Sequence, residues 1–506
     1  MALGGCYDVE PAPFLEREVV EVPSVEWAEA LGGEGTEWID LDVWGNSKVA
    51  VAGTFQRELL LDADSSPTTK VSTASDTDQD GFVARYDAGA GLQWVRQLGA
   101  VGAVSIGDVA ALTSNAIAVT GSYSDVITFG VGTEAPIALS AGRGQGLFLA
   151  SFDPAGAVAW ALSEGSTGWD ASHALTVTEG ADPLLVIGGA TGDEATFGEG
   201  MDTVVLDHLD PNNPQAFLAA YRQDDGELSW VAAARGESEI TDLAVLSDQV
   251  LAVGWFTGEV SFRSATGSEE RTVTTDADKS AFLVAYDWKA GSVQWVSQTT
   301  GYGETAAWSV AAIESGQIAV AGTFDGGATF RENNPIQLET ESGDTDVFLA
   351  SYELDTPDGQ VVGATVRWVQ RAMAGGKRDY CGEVVLRADG STLLTGAFDR
   401  AEAVAGGAAG TSETLTSAGF EDGFLSLYDA AGRLTWTRRL GGSGPGDSAY
   451  SLALATEQAA LLAGNFYKSL SFGADDAGPM LLESEGNDAY ILRLALDPER
   501  AATDTP

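Results

Sequence analysis

The side chains in this chain that could do chemistry are mostly carboxylates, and their best local arrangement is SDTDQDGFVARYD. Asp76, Asp78 and Asp80 followed by Gly81 spell D-x-D-x-D-G, with Asp87 at the twelfth position. Alternate carboxylates in a loop turned by glycine can gather hard oxygens around Ca²⁺. The same acids also read as a solvated turn whose carboxylates accept backbone N–H groups. A second set, Asp170, Glu304, Asp379 and Asp447, recurs in GWDAS, GETAA, KRDYC and PGDSA. These read as turn caps, or as a ring on one face for cations or a basic partner. Two histidines occur, His173 and His208, neither in HExxH nor beside a nucleophile, which argues against a serine triad or a zinc hydrolase. No GxSxG, Walker-type loop or dinucleotide fingerprint stands in a strand–helix context. Of the two cysteines, Cys381 reads as a small apolar strand residue, and two thiols exclude a disulfide scaffold.

The elements that would position these residues are repeated. Trp27, Trp94, Trp160, Trp230, Trp295, Trp368 and Trp436 stand about 65 to 73 residues apart, all but Trp27 after a glycine-bearing turn in sequences such as PAGAVAW and KAGSVQW. A glycine inside an apolar run keeps step with them: Gly53, Gly121, Gly188, Gly254, Gly322, Gly396 and Gly464. So does an aromatic opening another run: Phe82, Phe148, Phe217, Phe282, Phe348, Phe424 and Tyr490. One structural unit is therefore copied along the chain. The runs are short, β-branched and aromatic, and bounded by Gly, Asp, Ser and Thr, so they read as strands. Each copy supplies strand a, strand b with the glycine, strand c from the aromatic and strand d with the tryptophan. The c–d link is a tight turn. The insert around TPDGQVVGAT lengthens it in the fifth copy.

The seventh copy ends after strand c, and its tryptophan strand stands at the other end of the chain, around Trp27 in VEWAEALGG. The pattern predicts an all-β, seven-bladed β-propeller of four-stranded antiparallel blades, with an N-terminal strand closing the last blade. The boundaries are residues 1–24 for an N-terminal segment and tether, 25–497 for the propeller and 498–506 for a tail. The surplus between strands b and c predicts further extended segments or ordered loops, offered to a partner on one face.

The markers VAGTF, YDAAGRLTW and LGG resemble the SBBP-type β-propeller repeat of secreted and surface bacterial proteins. GFLSLYDAAGRLTWTRRLGG (423–442) and GFVARYDAGAGLQWVRQLGA (81–100) carry the resemblance, which extends over about residues 25 to 495. It implies a surface location and leaves activity open. AYDWKAGSVQW, Ala285 to Trp295, is similar to the A-x-D-x-x-x-G-x-x-x-W tryptophan-docking pattern of quinoprotein propellers. The alternative it implies is an oxidoreductase; the simpler reading is packing between blades.

Charge bounds the partners. The chain carries 75 acidic and 26 basic residues, net −49 over 506 residues. Such a field repels nucleic acid and anionic lipid and attracts basic surfaces. No apolar stretch reaches eighteen residues, so a membrane would be met only through an anchor. Cys6, in LGGC, looks like a bacterial lipobox, although MALGG is too short for a signal peptide. The expectation is a monomeric, exported protein, lipidated at Cys6. It would bind an unknown protein or saccharide without catalysis, with calcium as the one cofactor to weigh.

Overall fold

Alternating apolar runs closed by glycine and aspartate turns fold as antiparallel meanders, because each strand must bury one face and satisfy its backbone along its edges. The computed structural model describes residues 23–496 apart from 34–37, 45–47, 62–68, 74–78, 132–134, 199–202, 209–212, 331–334, 341–342, 357–360, 400–402, 408–411 and 474–479. Cys6, Asp76 and Asp78 lie outside the described residues.

The described chain forms seven four-stranded units. The fourth shows the plan, with strands Ser238–Leu246, Gln249–Phe256, Ser280–Asp287 and Ser292–Gln298 paired in that order. The a strands of the other units are Trp38–Val43, Val104–Ala111, Asp170–Val177, Thr305–Ala312, Asp379–Leu386 and Ser448–Thr456. In the seventh unit strand d is Ser24–Gly33, which pairs antiparallel with Met480–Ala495 from Ser24↔Ala495 to Leu31↔Ala489. The fold is all-β and propeller-like.

The core is divided in seven, one apolar cluster at each junction between consecutive units. One of these joins the last unit to the first, bringing Ile39 and Leu41 against Leu31, Leu461 and Ile491. The recurring aromatic of strand c anchors each cluster, often against a second ring. Phe262 and Phe282 have centroids 4.7 Å apart, and Phe330 and Phe348 4.9 Å.

The surplus between strands b and c is structural. In most units it forms extended segments that hydrogen-bond to the outer strand of the preceding unit, as in Ala234↔Phe262, Leu98↔Phe129 and Leu440↔Phe472. These clasps shield the outer edges, where an unpaired strand would invite association. The expected extended segments are therefore present between strands b and c, and they tie neighbouring units together.

Candidate functional site

The tryptophan and the turn glycine belong to one latch, but across a junction. The Trp230 indole donates to Trp288 O at 2.8 Å, on the c–d turn of the next unit. Trp27, Trp94, Trp160 and Trp368 donate in the same way to Ala88, Pro154, Gln223 and Ala430. Gly291 lies flat on the Trp230 ring, where a Cβ would come within 2.7 Å, and its φ of 61° favours glycine. The aspartate of the pattern caps the turn: Asp287 Oδ1 accepts from Lys289 N at 3.0 Å and Ala290 N at 2.8 Å. The docking pattern from Ala285 to Trp295 is thus an architectural device repeated around the ring. Trp295 itself faces the unit whose c–d link carries the insert, and its buried indole nitrogen has no hydrogen-bond partner among the described residues.

Asp87 is a turn cap of the same kind. It caps its own turn, accepting from Gly89 N and Gly91 N at 2.9 and 3.0 Å. Asp80 is buried and accepts from Gln97 Nε2 at 2.5 Å. The two stand at opposite ends of one extended strand, Gln79–Asp87, roughly 20 Å apart at the usual rise per residue. Asp87 therefore cannot share an ion with Asp80, which corrects the four-carboxylate reading. Among the described residues no three His, Cys, Asp or Glu side chains converge as a metal site.

The second acidic set divides. Asp170 accepts from Ser166 N at 2.5 Å and Ser166 Oγ at 2.7 Å, and Asp447 from Gly442 N and Tyr467 N, both at 2.7 Å. Glu304 reaches Lys279 at 3.4 Å. Asp379 is 1% exposed, and neither carboxylate oxygen has a hydrogen-bond partner of good geometry among the described residues. Desolvation, followed by the charges of Asp346 and Asp399, pushes its pKa up to about 8. Asp346 lies beside it, bound by Arg371 Nε at 2.5 Å.

A group of carboxylates outside these motifs surrounds the axis. In six units strand a bulges opposite a glycine of strand b, between Ile240 and Asp242 in the fourth. A Cβ on Gly254 would meet Glu239 O at 1.9 Å, so the close approach requires glycine. In the third unit the glycine in this role is Gly189 rather than Gly188. The residue at or just beyond the bulge then accepts a backbone N–H from strand a of the next unit. Asp108 takes Leu175 N at 2.6 Å, Asp242 takes Val310 N at 2.7 Å and Ser309 takes Val384 N at 3.1 Å. Glu383 takes Leu452 N at 2.6 Å, Ser451 takes Leu41 N at 3.1 Å and Asp40 takes Val109 N at 3.1 Å. The Ser451 contact joins the last unit to the first. Ala174 leaves the third junction without such a cap.

These groups also couple to one another. Ser451 Oγ donates to Asp40 Oδ1 at 2.6 Å and lies 3.2 Å from Glu383 Oε2. Desolvation, reinforced by the Asp40 charge, raises Asp108 and Glu383 well above the carboxylate range. Asp242 rises to about 7 through desolvation. The cluster therefore holds protons near neutral pH. A sequence signal existed: these acids and serines stand 12 or 13 residues before the marker glycine.

Neither histidine joins this group in a catalytic arrangement. His173 Nε2 lies 2.7 Å from Glu239 Oε1, and His208 Nε2 lies 3.0 Å from Thr191 O. Cys381 is half-buried on strand a of the sixth unit rather than sealed in the core, with Sγ 3.3 Å from Gly382 O.

One face of the ring carries exposed aromatics. In a meander, the starts of strands a and c lie on the same side as the ends of b and d. Trp169, Tyr302, Trp308, Tyr380 and Phe420 stand near such points, with exposures from 40% for Trp308 to 63% for Phe420. They belong to the third, fifth and sixth units.

Together these features define an all-β, propeller-like protein whose axis and junctions are built from acid caps and tryptophan latches. No family model matches this chain, and no curated protein matches it. Among solved structures it is similar to the rhamnogalacturonan lyase YesW, at 10% identity and a TM-score of 0.27, over 92% of this chain and 74% of that one. A likeness that slight carries no argument about activity.

Proposed function

We propose that this protein is a non-catalytic binding platform on a seven-bladed β-propeller, exported and anchored through Cys6, whose partner is a basic protein segment. The observation that carries the reading is the aromatic face. Large apolar side chains exposed together on one side mark interaction surfaces. Asp379, Glu421, Asp422 and Asp447 lie at strand starts on the same side, and the net charge of −49 favours a cationic partner. The axial carboxylates support a non-catalytic role, because Asp40, Asp108, Asp242 and Glu383 are each occupied as acceptors between units.

The test pairs Trp308→Ala with Tyr380→Ala. Both side chains are exposed, so stability should change by no more than about 0.5 kcal/mol each. Capture of a basic protein from the envelope of the producing cells should be lost in the double variant and persist in Gln93→Ala, on the other face. Equal capture by both variants would reject the aromatic face as the binding surface.

A further inference from the structure

A cleft of about 790 Å³ opens between the first and second units, lined by Thr69, Arg85, Gln93, Trp94, Arg96 and Pro154. It lies toward the c–d turns, opposite the aromatic face.

Arg85 is 7% exposed. Its Nη1 donates to Pro154 O at 2.6 Å, its guanidinium sits 5.3 Å from the Trp44 ring centroid, and its buried Nε has no hydrogen-bond partner among the described residues. Arg96 donates to Gly156 O at 2.7 Å, Val95 O at 2.8 Å and Ala155 O at 3.0 Å, and lies 5.4 Å from the Trp94 centroid. Backbone carbonyls and indoles hold both guanidiniums, and no carboxylate of the described residues pairs with either. A buried cation normally acquires a counter-charge, since desolvation without one is expensive. In a chain of net charge −49, carboxylates are abundant, so the missing pair is informative.

The repeat supplies internal controls. Opposite the tryptophan, where the first unit has Arg85, stand Ser151, Ala220, Ala285, Ser351 and Leu427. Two residues past the tryptophan, where the first unit has Arg96, stand Leu162, Ala232, Ser297 and Gln370. The arginines that recur at these places elsewhere are neutralised. Arg438 lies 3.6 Å from Glu413 Oε1, and Arg493 lies 2.6 Å from Glu26 Oε2. The first unit alone combines both cations without an acid.

We infer that this cleft binds an acidic sugar, its carboxylate received by Arg85 and Arg96. Guanidinium forks match carboxylate geometry, and the space exceeds what a bare ion would fill. The Gln93 amide, anchored on Asp87 Oδ2 at 3.0 Å, and the Thr69 hydroxyl supply neutral partners for sugar hydroxyls. The Trp94 indole and the Pro154 ring form the apolar wall.

Calorimetric titration of the full chain with D-glucuronate at low ionic strength tests the inference, with D-glucose and citrate as controls. Saturable one-to-one binding of glucuronate, none of glucose, and weaker binding of citrate are expected. Arg96→Gln should weaken glucuronate at least tenfold. Arg85→Gln should do the same, but Arg85 also holds Pro154, so the more exposed Arg96 decides the question if that variant fails to fold. Absence of saturation, equal binding of glucose, or an unchanged affinity in Arg96→Gln would overturn the site. Citrate binding as tightly as glucuronate would overturn the sugar assignment.

Discussion

The two faces of the ring obey different rules. On the side of the c–d turns one device recurs: at five junctions the tryptophan donates to a carbonyl of the next turn, and at four of these a glycine lies on the indole. On the side where strands a and c begin, the same places differ from unit to unit. Asp447 is a satisfied cap, its counterpart Asp379 has no hydrogen-bond partner of good geometry among the described residues, and the third and fifth units place exposed tryptophans there. Repetition marks the side that builds the ring, and variation marks the side free to be particular. The acidic-sugar cleft lies on the more uniform side, where the first unit departs from the pattern.

The sharpest way to break the comparison is to open the ring. Deleting residues 1–34 removes strand d of the seventh unit and the Trp27 latch, and exposes the edge of Met480–Ala495. The loss should be on the order of 5 kcal/mol or more and abolish a cooperative melt. A melting temperature equal to that of the full chain would mean that closure contributes nothing.

Within the uniform face, Trp230→Ala should cost roughly 3–5 kcal/mol, as expected for a buried aromatic. Gly291→Ala, on the opposite half of the same latch, should cost about 1–3 kcal/mol through strain and the clash with that ring. The two losses should not add, since both act on one contact. Additive chemical denaturation data would show that the latch is not a unit.

The smallest effect separates Asp379 from Asp447. Asp242 and Asp379 bind protons more tightly folded than unfolded, so their contribution is complete below about pH 4. It is lost as pH rises through about 7 for Asp242 and about 8 for Asp379. Melting temperature should therefore fall between pH 5 and pH 9 at fixed ionic strength. Asp379→Asn should flatten the upper part of that fall and stabilise the protein at pH 9 by about 1–2 kcal/mol. Asp447→Asn should destabilise, because its carboxylate accepts two backbone N–H groups. Stability rising with pH would contradict the burial of Asp379.

The sequence alone determined the unit, its number of copies, the strand order and the place of the N-terminal strand. Each follows from local periodicity or from a residue type that only one backbone geometry accepts, such as Gly254 against the strand a bulge. It also contained the spacing of Asp40, Asp108, Asp242 and Glu383 from the marker glycine, but spacing within a copy does not say which neighbour a side chain will meet. That was decided in three dimensions. The D-x-D-x-D-G motif appeared compact in sequence, yet an extended strand separates Asp80 from Asp87. The tryptophan and the turn glycine are neighbours within a copy, yet each packs against its counterpart across a junction. Contacts between units join residues some 60 to 70 positions apart, or about 410 at the closure, and chain order does not encode which of those pairs will touch.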